Sequence, residues 1–410
     1  MKPIRLLIWC PLVNPGGGAR LLMRLISALA VRPDIARISL VVPRGSILPE
    51  QLDAAARAKI QWCEFDRPVP PRIFRRIWNR LWVRPVLPPS HRKLKEHVED
   101  CDVVYAFWPH RNDFPAIPRP VVCTFQDAIF FDFPEILGSV GTQDEWTRAS
   151  RWLRESAQVV VSSLATKDAL KRHFDFPPEK LALVHHAIMP TNPESSVDLP
   201  PSCAAALPPR YFICPAPLTT HKNHCNLLSA WARWPEHKQY PLVLVGNCTH
   251  LIDFKPGKWP RVGDSTRVAG LIQRLGLRPG IDYFPLGYVP DEDIPRLIRR
   301  AVALIMPTMA EGGGSYPVEE ALRLGVPVLC SDIPVLREHV EGRTAPIGWF
   351  DPESPASILA AVRELLATYE DRQRAAVAGM NDPRPTWDDV AAGYAEIFMR
   401  VAQERANGRS

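Results

Sequence analysis

Residues 301–334 read AVALIMPTMAEGGGSYPVEEALRLGVPVLCSDIP. One short apolar run precedes a glycine loop and a short amphipathic segment, and a second apolar run follows them. The apolar runs, residues 301–306 and 326–330, have the length of buried strands. Pro317 suits the first helical position, where a missing N–H costs nothing. Gly325 lies where a left-handed C-cap would end that helix. The stretch therefore predicts strand, glycine loop, short helix and strand, and open α/β sheets bind ligands at such loops.

The glycine loop combines accessible backbone with two carboxylates. Glycines let a ligand approach main-chain N–H groups closely, and a helix start adds partial positive charge. Glu311 opens the loop and Glu320 lies in the helix, and a carboxylate can accept two hydrogen bonds side by side from a vicinal diol. From spacing alone, a capped helix with solvated glutamates is an equal alternative. The loop residues predicted to face a ligand are Gly312, Gly313, Gly314 and Ser315.

This stretch resembles the nucleotide-binding motif of retaining GT-B glycosyltransferases, in particular glycosyltransferase family 4. That motif contains two glutamates, and the second opens a Glu-Ala-x-x-x-Gly-x-Pro-Val run. Residues 320–328, EALRLGVPV, match the run and make Glu320 the second glutamate. Eight residues separate it from Glu311, one more than is usual in the family. Glu319 therefore remains a rival for the same role.

The resemblance implies a role for each of these side chains. Glu311 would contact the donor sugar, and Glu320 would hold the nucleotide ribose. Lys222, in the segment PAPLTTHKN, matches a family lysine that reaches the donor phosphates, and Asn223, which follows it, is predicted to bind the substrate as well. The arginine that many relatives carry a few residues earlier is absent from residues 216–218. One phosphate-binding cation is therefore missing or comes from elsewhere.

The chain starts with a second strand–glycine loop–helix pattern. An apolar strand is predicted over Ile4–Trp9, and an amphipathic helix follows the residues NPGGGAR. Such a loop can cradle phosphate, although it lacks the GxGxxG spacing of a dinucleotide fingerprint. It resembles the N-terminal glycine loop of family 4 enzymes, which faces the donor diphosphate or the acceptor; a tight turn is the alternative. The glycines concerned are Gly16, Gly17 and Gly18.

A predicted strand over Val121–Phe125 leads directly to Gln126 and Asp127. Many family 4 enzymes carry His-Asp here, with the histidine near the donor sugar and the acceptor. Glutamine can hydrogen-bond a sugar hydroxyl but cannot titrate near neutral pH. We therefore expect no histidine acid–base role at this position. Asp127 and His110 are candidate substitutes, with a structural role as the alternative for each.

Length and composition favour two α/β domains. A chain of 410 residues with 46% hydrophobic and 23% charged residues is typical of a globular protein with more than one domain. We predict a first domain over residues 1–195, a proline-rich linker over 196–210, a second domain over 211–380 and a C-terminal helix within 381–410. In the second domain, Gly246 ends a predicted strand and is expected to lie beneath the bound nucleotide. The resemblance implies the GT-B fold, in which two doubly wound Rossmann-like domains face each other across a cleft and the C-terminal helix crosses back to the first domain.

Charge and cysteine content indicate partners and compartment. A net charge of +6 fits anionic small molecules or a membrane surface as easily as nucleic acid. Nine cysteines without a Cys-x-x-Cys pair favour reduced thiols in the cytoplasm. No apolar run approaches the length of a membrane-spanning helix. We expect no metal and no cofactor, because no ligand spacing suggests a metal site and the donor substrate would be a UDP- or GDP-type sugar.

Residues 72–84, RIFRRIWNRLWVR, combine an aromatic face with an arginine face at helical spacing. Such a helix can lie on an anionic membrane, which would make the protein peripheral on the inner face of the cell membrane. A helix packed on the core with solvated arginines explains the pattern at least as well. Nucleic acid is not expected, because no recognised binding module accompanies the charge.

The resemblance implies retaining transfer of a hexose from a nucleotide diphosphate sugar to a hydroxyl of a glycan or lipid-linked acceptor in cell-surface polysaccharide synthesis. Lys222, loop N–H groups and helix N-termini would stabilise the departing diphosphate. Two alternatives stay open. One is a GT-B sugar-nucleotide epimerase or hydrolase. The other is a catalytically silent scaffold subunit, which the glutamine at position 126 and the missing arginine favour.

Overall fold

The computed structural model divides the chain into two compact units, Met1–Ala187 with Pro385–Ser410 and Ile188–Arg384. The first boundary follows Ala187, where the prediction ends the first domain at residue 195, and the second follows Arg384, where the prediction ends the second domain at residue 380. The predicted linker over 196–210 and the arginine–tryptophan stretch at 72–84 lie wholly or largely outside the described residues. The structure describes residues 2–10, 17–44, 54–66, 89–109, 112–136, 138–188, 207–253 and 263–408.

The first unit contains a parallel sheet of seven strands in the order β3-β2-β1-β4-β5-β6-β7. Its strands are β1 (Ile4–Trp9), β2 (Ile35–Pro43), β3 (Ile60–Phe65), β4 (Val103–Phe107), β5 (Val121–Phe125), β6 (Gln158–Val161) and β7 (Leu181–Leu183). The helices of this unit that precede the second unit along the chain are α1 (Gly17–Val31), α2 (Ala54–Lys59), α3 (Pro89–His97), α4 (Ile129–Asp132), α5 (Gly138–Glu155) and α6 (Leu164–His173). The central strands β4 and β5 are buried along their whole length, as expected for parallel strands covered on both faces.

The second unit contains a parallel sheet of six strands in the order β10-β9-β8-β11-β12-β13. Its strands are β8 (Phe212–Pro215), β9 (Leu242–Val245), β10 (Tyr283–Gly287), β11 (Ala303–Met306), β12 (Val328–Ser331) and β13 (Gly348–Phe350). Its helices are α7 (His224–Ala232), α8 (Gly263–Leu275), α9 (Ile294–Arg300), α10 (Tyr316–Arg323), α11 (Pro334–His339), α12 (Pro355–Ala367) and α13 (Tyr369–Ala378). Every strand pairing between neighbours is parallel.

Each sheet has one position where the order of strands reverses. In the first sheet it lies between β1 and β4, which pair from Leu6 with Val103 to Trp9 with Ala106. In the second sheet it lies between β8 and β11. The loops that leave the carboxyl ends of these four strands are therefore the ones that open α/β sheets use for ligands.

The C-terminal helix α14 (Trp387–Ala406) belongs to the first unit, where it packs against α1. It begins with a capping box in which Thr386 and Asp389 satisfy each other's backbone N–H groups, and such a cap contributes about 1 kcal/mol. Its Tyr394 hydroxyl lies 2.9 Å from Thr124 Oγ1 at the end of β5. The helix is therefore held to the sheet by a buried polar contact as well as by apolar packing.

The α/β class with two parallel sheets is confirmed, whereas two edge strands were not predicted. β3 exposes Gln61 and Glu64 because it lies at the sheet edge, so its apolar pattern is weak. β13 has only three residues and also lies at an edge. Across the described ranges, no helix has both the length and the apolar character that a membrane span requires.

Candidate active site

Lys222 and Glu311 form an ion pair at the point where the strand order of the second sheet reverses. Lys222 lies in the loop after β8, and Glu311 lies in the loop after β11, the strand next to it. The distance from Lys222 Nζ to Glu311 Oε1 is 2.5 Å, and the two side chains are only 15% and 9% exposed. Because water is largely excluded, this charge-assisted hydrogen bond is stronger than a surface ion pair. The fold thus brings together the groups predicted to bind donor phosphate and donor sugar.

The loop after β8 is held by Asn223. This residue adopts a left-handed conformation, with φ of 59°, directly after the single 3₁₀ turn that carries Lys222. Its amide nitrogen donates hydrogen bonds to the carbonyl oxygens of Pro307, at 2.9 Å, and Pro352, at 2.7 Å. Both amide hydrogens are therefore used within the protein. Asn223 positions the loop, and its amide nitrogen has no hydrogen left for the substrate contact that the sequence predicted.

The loop after β11 is joined to the lysine loop by backbone contacts. The Met309 N–H donates to the His221 carbonyl oxygen at 2.7 Å, and Thr308 Oγ1 donates to the same oxygen at 3.2 Å. Thr308 Oγ1 also lies 2.8 Å from the Ala310 carbonyl oxygen. These bonds fix the backbone on both sides of the ion pair, so the pair is built on two loops that support each other.

Gly314 allows the glycine loop to pass directly over an imidazole ring. Its φ is +111°, and a Cβ atom there would collide with His339. His339 Nε2 lies 3.1 Å from the Ser315 carbonyl oxygen, so this ring also supports the start of α10. Burial lowers the pKa of His339, although the nearby Glu319 opposes that shift. A side chain at position 314 would therefore displace the loop that precedes the helix.

Helix α10 starts and ends much as the sequence predicts. Ser315 is its N-cap residue, although the hydroxyl makes no capping hydrogen bond. Pro317 is the second helical residue rather than the predicted first, because the helix begins at Tyr316. Gly325 is left-handed, with φ of +67°, and Val326 N donates to Ala321 O at 2.9 Å, which completes a Schellman C-terminus.

Glu319 and Glu320 have different surroundings. Glu319 is completely buried and pairs with Arg343 and with Arg384, whose Nη2 lies 2.9 Å from Glu319 Oε1. Glu320 is only partly buried. A carboxylate held by two guanidinium groups cannot turn to a ligand without leaving buried charge unpaired. Glu319 is therefore bound within the protein, and the ribose-binding role predicted for Glu320 stays a prediction.

Gly246, at the end of β9, allows two loops to approach each other. Its φ is +139°, and a Cβ atom there would lie 2.6 Å from the Ala216 carbonyl carbon in the loop after β8. The observed reason for glycine is therefore close backbone packing beside the lysine loop. Its predicted position beneath a nucleotide stays a prediction.

In the first unit, the glycine loop and the loop after β4 are in contact. Gly18, the second residue of α1, lies against the Trp108 indole so closely that a Cβ atom at position 18 would collide with it. Trp108 itself has a left-handed backbone, with φ of 54°. Gly17 begins the helix, and Gly16 lies outside the described residues. The close approach to Trp108 is sufficient reason for glycine at position 18.

Gln126 contacts a histidine that the sequence analysis did not single out. Gln126 is 4% exposed, and its Oε1 lies 2.8 Å from His186 Nε2, while Ser162 Oγ donates to its backbone carbonyl at 3.3 Å. Asp127 Oδ1 accepts a hydrogen bond from Ile129 N, the first residue of the short helix α4, at 3.2 Å. The catalytic role considered for Asp127 stays a prediction. His110 lies outside the described residues.

A half-buried histidine, His221, and a buried histidine, His224, lie close to Lys222 in the chain. Burial lowers the pKa of His221 to about 3 and that of His224 to about 4, with the Lys222 charge as the second cause in each case. Both rings are therefore neutral at neutral pH and add no positive charge for a phosphate. Within the described ranges, no group of three histidine, cysteine or carboxylate side chains is arranged to hold a metal ion.

Comparisons with known proteins assign each half of the chain to a glycosyltransferase family. The family described as Glycosyltransferase Family 4 matches residues 15–191, and the family described as Glycosyl transferases group 1 matches residues 201–381. Among curated proteins, O-antigen chain mannosyltransferase B of Escherichia coli is 28% identical over 300 residues, which is 69% of each chain. Serotype-specific mannosyltransferase WbdA of Escherichia coli is 33% identical over 162 residues, or 39% of this chain and 17% of that one.

Solved structures of similar fold cover nearly the whole chain. The Anabaena protein HepE, crystallised with UDP and glucose, superposes with a TM-score of 0.62 at 17% identity over 99% of both chains. Sucrose-phosphate synthase from Thermosynechococcus elongatus gives a TM-score of 0.66 at 16% identity, over 98% of this chain and 99% of that one. The glycosyltransferase WaaG gives 0.61 at 16% identity, over 99% and 100%. The chain is therefore an enzyme of glycosyltransferase family 4 with the two-domain Rossmann-like GT-B fold.

Proposed function

We propose that the enzyme transfers a hexose, without a metal ion and with retention of configuration, from a nucleotide diphosphate sugar to a hydroxyl of a glycan or lipid-linked acceptor. The observation that carries this proposal is the ion pair of Lys222 with Glu311 beside the glycine loop. Lys222 is the cation that would stabilise the leaving diphosphate, and Glu311 is the carboxylate that would accept hydrogen bonds from sugar hydroxyls. Glu320, partly exposed on α10, is the group proposed for the nucleotide ribose.

The chemistry demands stabilisation of a departing anion. The bond from the sugar C1 to the diphosphate oxygen breaks, the acceptor oxygen bonds to C1, and the proton of the acceptor hydroxyl passes to the departing diphosphate. Lys222 is held by Glu311, and in the proposed reaction it also contacts the phosphate oxygens of the donor. A preorganised hydrogen-bond donor such as the Lys222 ammonium contributes about 3 kcal/mol to transition-state stabilisation. Backbone N–H groups of the glycine loop and the start of α10 would add to the same effect.

Mannose is the sugar that we propose first. The curated relatives named above are mannosyltransferases of Escherichia coli, one of them described as acting on the O-antigen chain. By that similarity we place the enzyme in cell-surface polysaccharide synthesis. The structural neighbour HepE was solved with UDP, so both UDP- and GDP-linked donors belong in a first test. A cytoplasmic location, peripheral on the inner membrane face, is part of the proposal.

The test is a thermal-shift screen followed by a transfer assay. GDP-mannose, UDP-glucose and the free nucleotides are screened first, because a ligand of the native state raises the melting temperature by mass action. Transfer from the best donor to octyl α-mannoside is then measured with and without chelator. A transfer product that forms only when the acceptor is present supports the proposal. Donor turnover without acceptor would favour an epimerase or hydrolase, and nucleotide binding without any turnover would favour a scaffold.

A further inference from the structure

We infer that His186 is a positioning residue that orients the Gln126 amide so that its N–H groups face a sugar hydroxyl of the substrate. The inference rests on the proposed function, because it assumes that a sugar is bound at this edge of the first sheet. It goes further by assigning a role to His186 and by specifying which end of the amide contacts the ligand.

The fold brings three polar side chains to one point. Gln126 follows β5, Ser162 follows β6 and His186 lies shortly after β7, and these strands are neighbours in the parallel sheet. Their carboxyl ends therefore meet at the same edge. Ser162 Oγ donates to the Gln126 backbone carbonyl at 3.3 Å, and His186 Nε2 lies 2.8 Å from Gln126 Oε1. The glutamine is thus held both by its backbone and by the end of its side chain.

The direction of the side-chain hydrogen bond follows from the atoms involved. An amide oxygen can only accept, so His186 Nε2 carries the hydrogen and donates it. If the Gln126 amide turned by 180°, its NH₂ group would face this N–H, and two donors would oppose each other. In its Nε2–H tautomer, which the inference includes, His186 therefore selects one of the two amide orientations.

The selected orientation leaves a buried donor that has no partner among the described residues. Gln126 is 4% exposed, and among the described residues no protein atom accepts a hydrogen bond from its Nε2. Buried donors in native proteins almost always have a partner, which can be water or a ligand. The ligand proposed for this enzyme carries many hydroxyl oxygens, which accept hydrogen bonds from such a donor. A neutral amide at this position would donate a hydrogen bond to a sugar hydroxyl without exchanging a proton with it.

The experiment compares substitutions that remove or keep the donor at position 186. His186→Ala removes it, and His186→Gln keeps an N–H group near the Nε2 position. His185→Ala, at the exposed neighbouring residue, is the matched control. We expect His186→Ala to lower kcat/KM for transfer from GDP-mannose to octyl α-mannoside about tenfold, the size of one lost hydrogen bond. His186→Gln is expected to restore most of this loss, and His185→Ala to remain within about twofold of wild type.

A double-substitution cycle separates positioning from general structural damage. Gln126→Met removes the amide, so adding His186→Ala to it should cause no further loss. Separate KM values for donor and acceptor show which sugar Gln126 contacts. Loss with His186→Gln as large as with His186→Ala would overturn the inference, because the ring itself would then be needed. Additive losses in the double variant would overturn it as well. If His186→Ala does not fold, His186→Leu takes its place in the cycle.

Failure of the proposed function has a different signature. Wild-type protein that transfers sugar from none of the tested donors would contradict the proposed function, whatever the variants do. The inference is then tested by calorimetric binding of octyl α-mannoside to the wild-type, His186→Ala and His186→Gln proteins. A weaker affinity for the alanine variant alone supports the orientation role, and equal affinities, or no binding at all, overturn it.

Discussion

Glu319 and Glu320 are consecutive residues of α10, yet Glu319 is completely buried against Arg343 and Arg384 while Glu320 is partly exposed. One residue along an α-helix changes the direction of a side chain by about 100°. The first carboxylate therefore lies in the interior of the second unit, where it is held by guanidinium groups, and the second points in a different direction and is less buried. This difference gives Glu319 a structural role, and the ligand-binding role of Glu320 is the one that we propose.

The two glutamates form a matched pair for substitution. Glu319→Gln leaves two buried guanidinium groups without their counter-charge, and we expect a loss of about 3–5 kcal/mol in the free energy of unfolding. Glu320→Gln should cost less stability than Glu319→Gln but weaken nucleotide binding at least about tenfold, because a charged hydrogen bond to the ribose is lost. Urea unfolding and titration calorimetry with GDP and UDP measure the two effects. The reverse pattern would identify Glu319 as the ribose ligand.

Removal of the Lys222 ammonium should affect the rate more than the fold. Lys222→Met removes the cation beside the diphosphate, and we expect kcat to fall about 100-fold. Lys238→Met, at an exposed lysine of the same unit, is the control and should leave kcat unchanged. Steady-state transfer kinetics make the comparison. A Lys222→Met enzyme with wild-type kcat would contradict the role in leaving-group stabilisation.

Position 314 should tolerate no side chain. Gly314→Ala combines a positive φ of +111° with a collision against His339, whereas Gly342→Ala has a positive φ of +77° and open space around its Cβ. We expect Gly342→Ala to cost about 1 kcal/mol of stability from backbone strain alone. Gly314→Ala should cost more than this and should also weaken nucleotide binding, because the loop before α10 is displaced. Thermal unfolding with and without nucleotide compares the two. Equal effects would show that the contact with His339 is unimportant.

His224 should make the fold sensitive to acid. Burial lowers its pKa to about 4 in the folded protein, against about 6.5 in an unfolded chain. The unfolded state therefore binds more protons between these values, so stability falls as pH decreases from about 6.5 to about 4 and is unaffected above that range. One such group contributes about 1.4 kcal/mol per pH unit within the window. Urea unfolding of wild type and His224→Gln at pH 7 and pH 4.5 measures it, and the stability difference between the two proteins should shift in favour of the variant at pH 4.5. A constant difference would contradict the buried neutral state.

Part of the candidate site could be predicted because it is local in sequence. The strand, glycine loop and helix from Ala303 to Arg323, and the end of that helix at Gly325, follow from apolar runs and from the backbone freedom of glycine. The same reasoning predicted β1 and β5 with correct bounds. It missed β3 and β13, because edge strands bury only part of their surface and their patterns are weak.

Contacts between distant residues were decided only by the tertiary structure. Lys222 and Glu311 are 89 residues apart, and they meet because β8 and β11 are parallel neighbours whose loops leave the same edge. Gln126 and His186 are 60 residues apart and meet because β5 and β7 lie on either side of β6 and end at the same edge of the first sheet. Sequence periodicity indicates that a side chain lies on a helix or after a strand, but the partner that faces it depends on strand order. The sequence by itself thus determined many of the strands and helices and the chemical groups that they carry. The tertiary structure decided which of these groups form ion pairs or hydrogen bonds with each other.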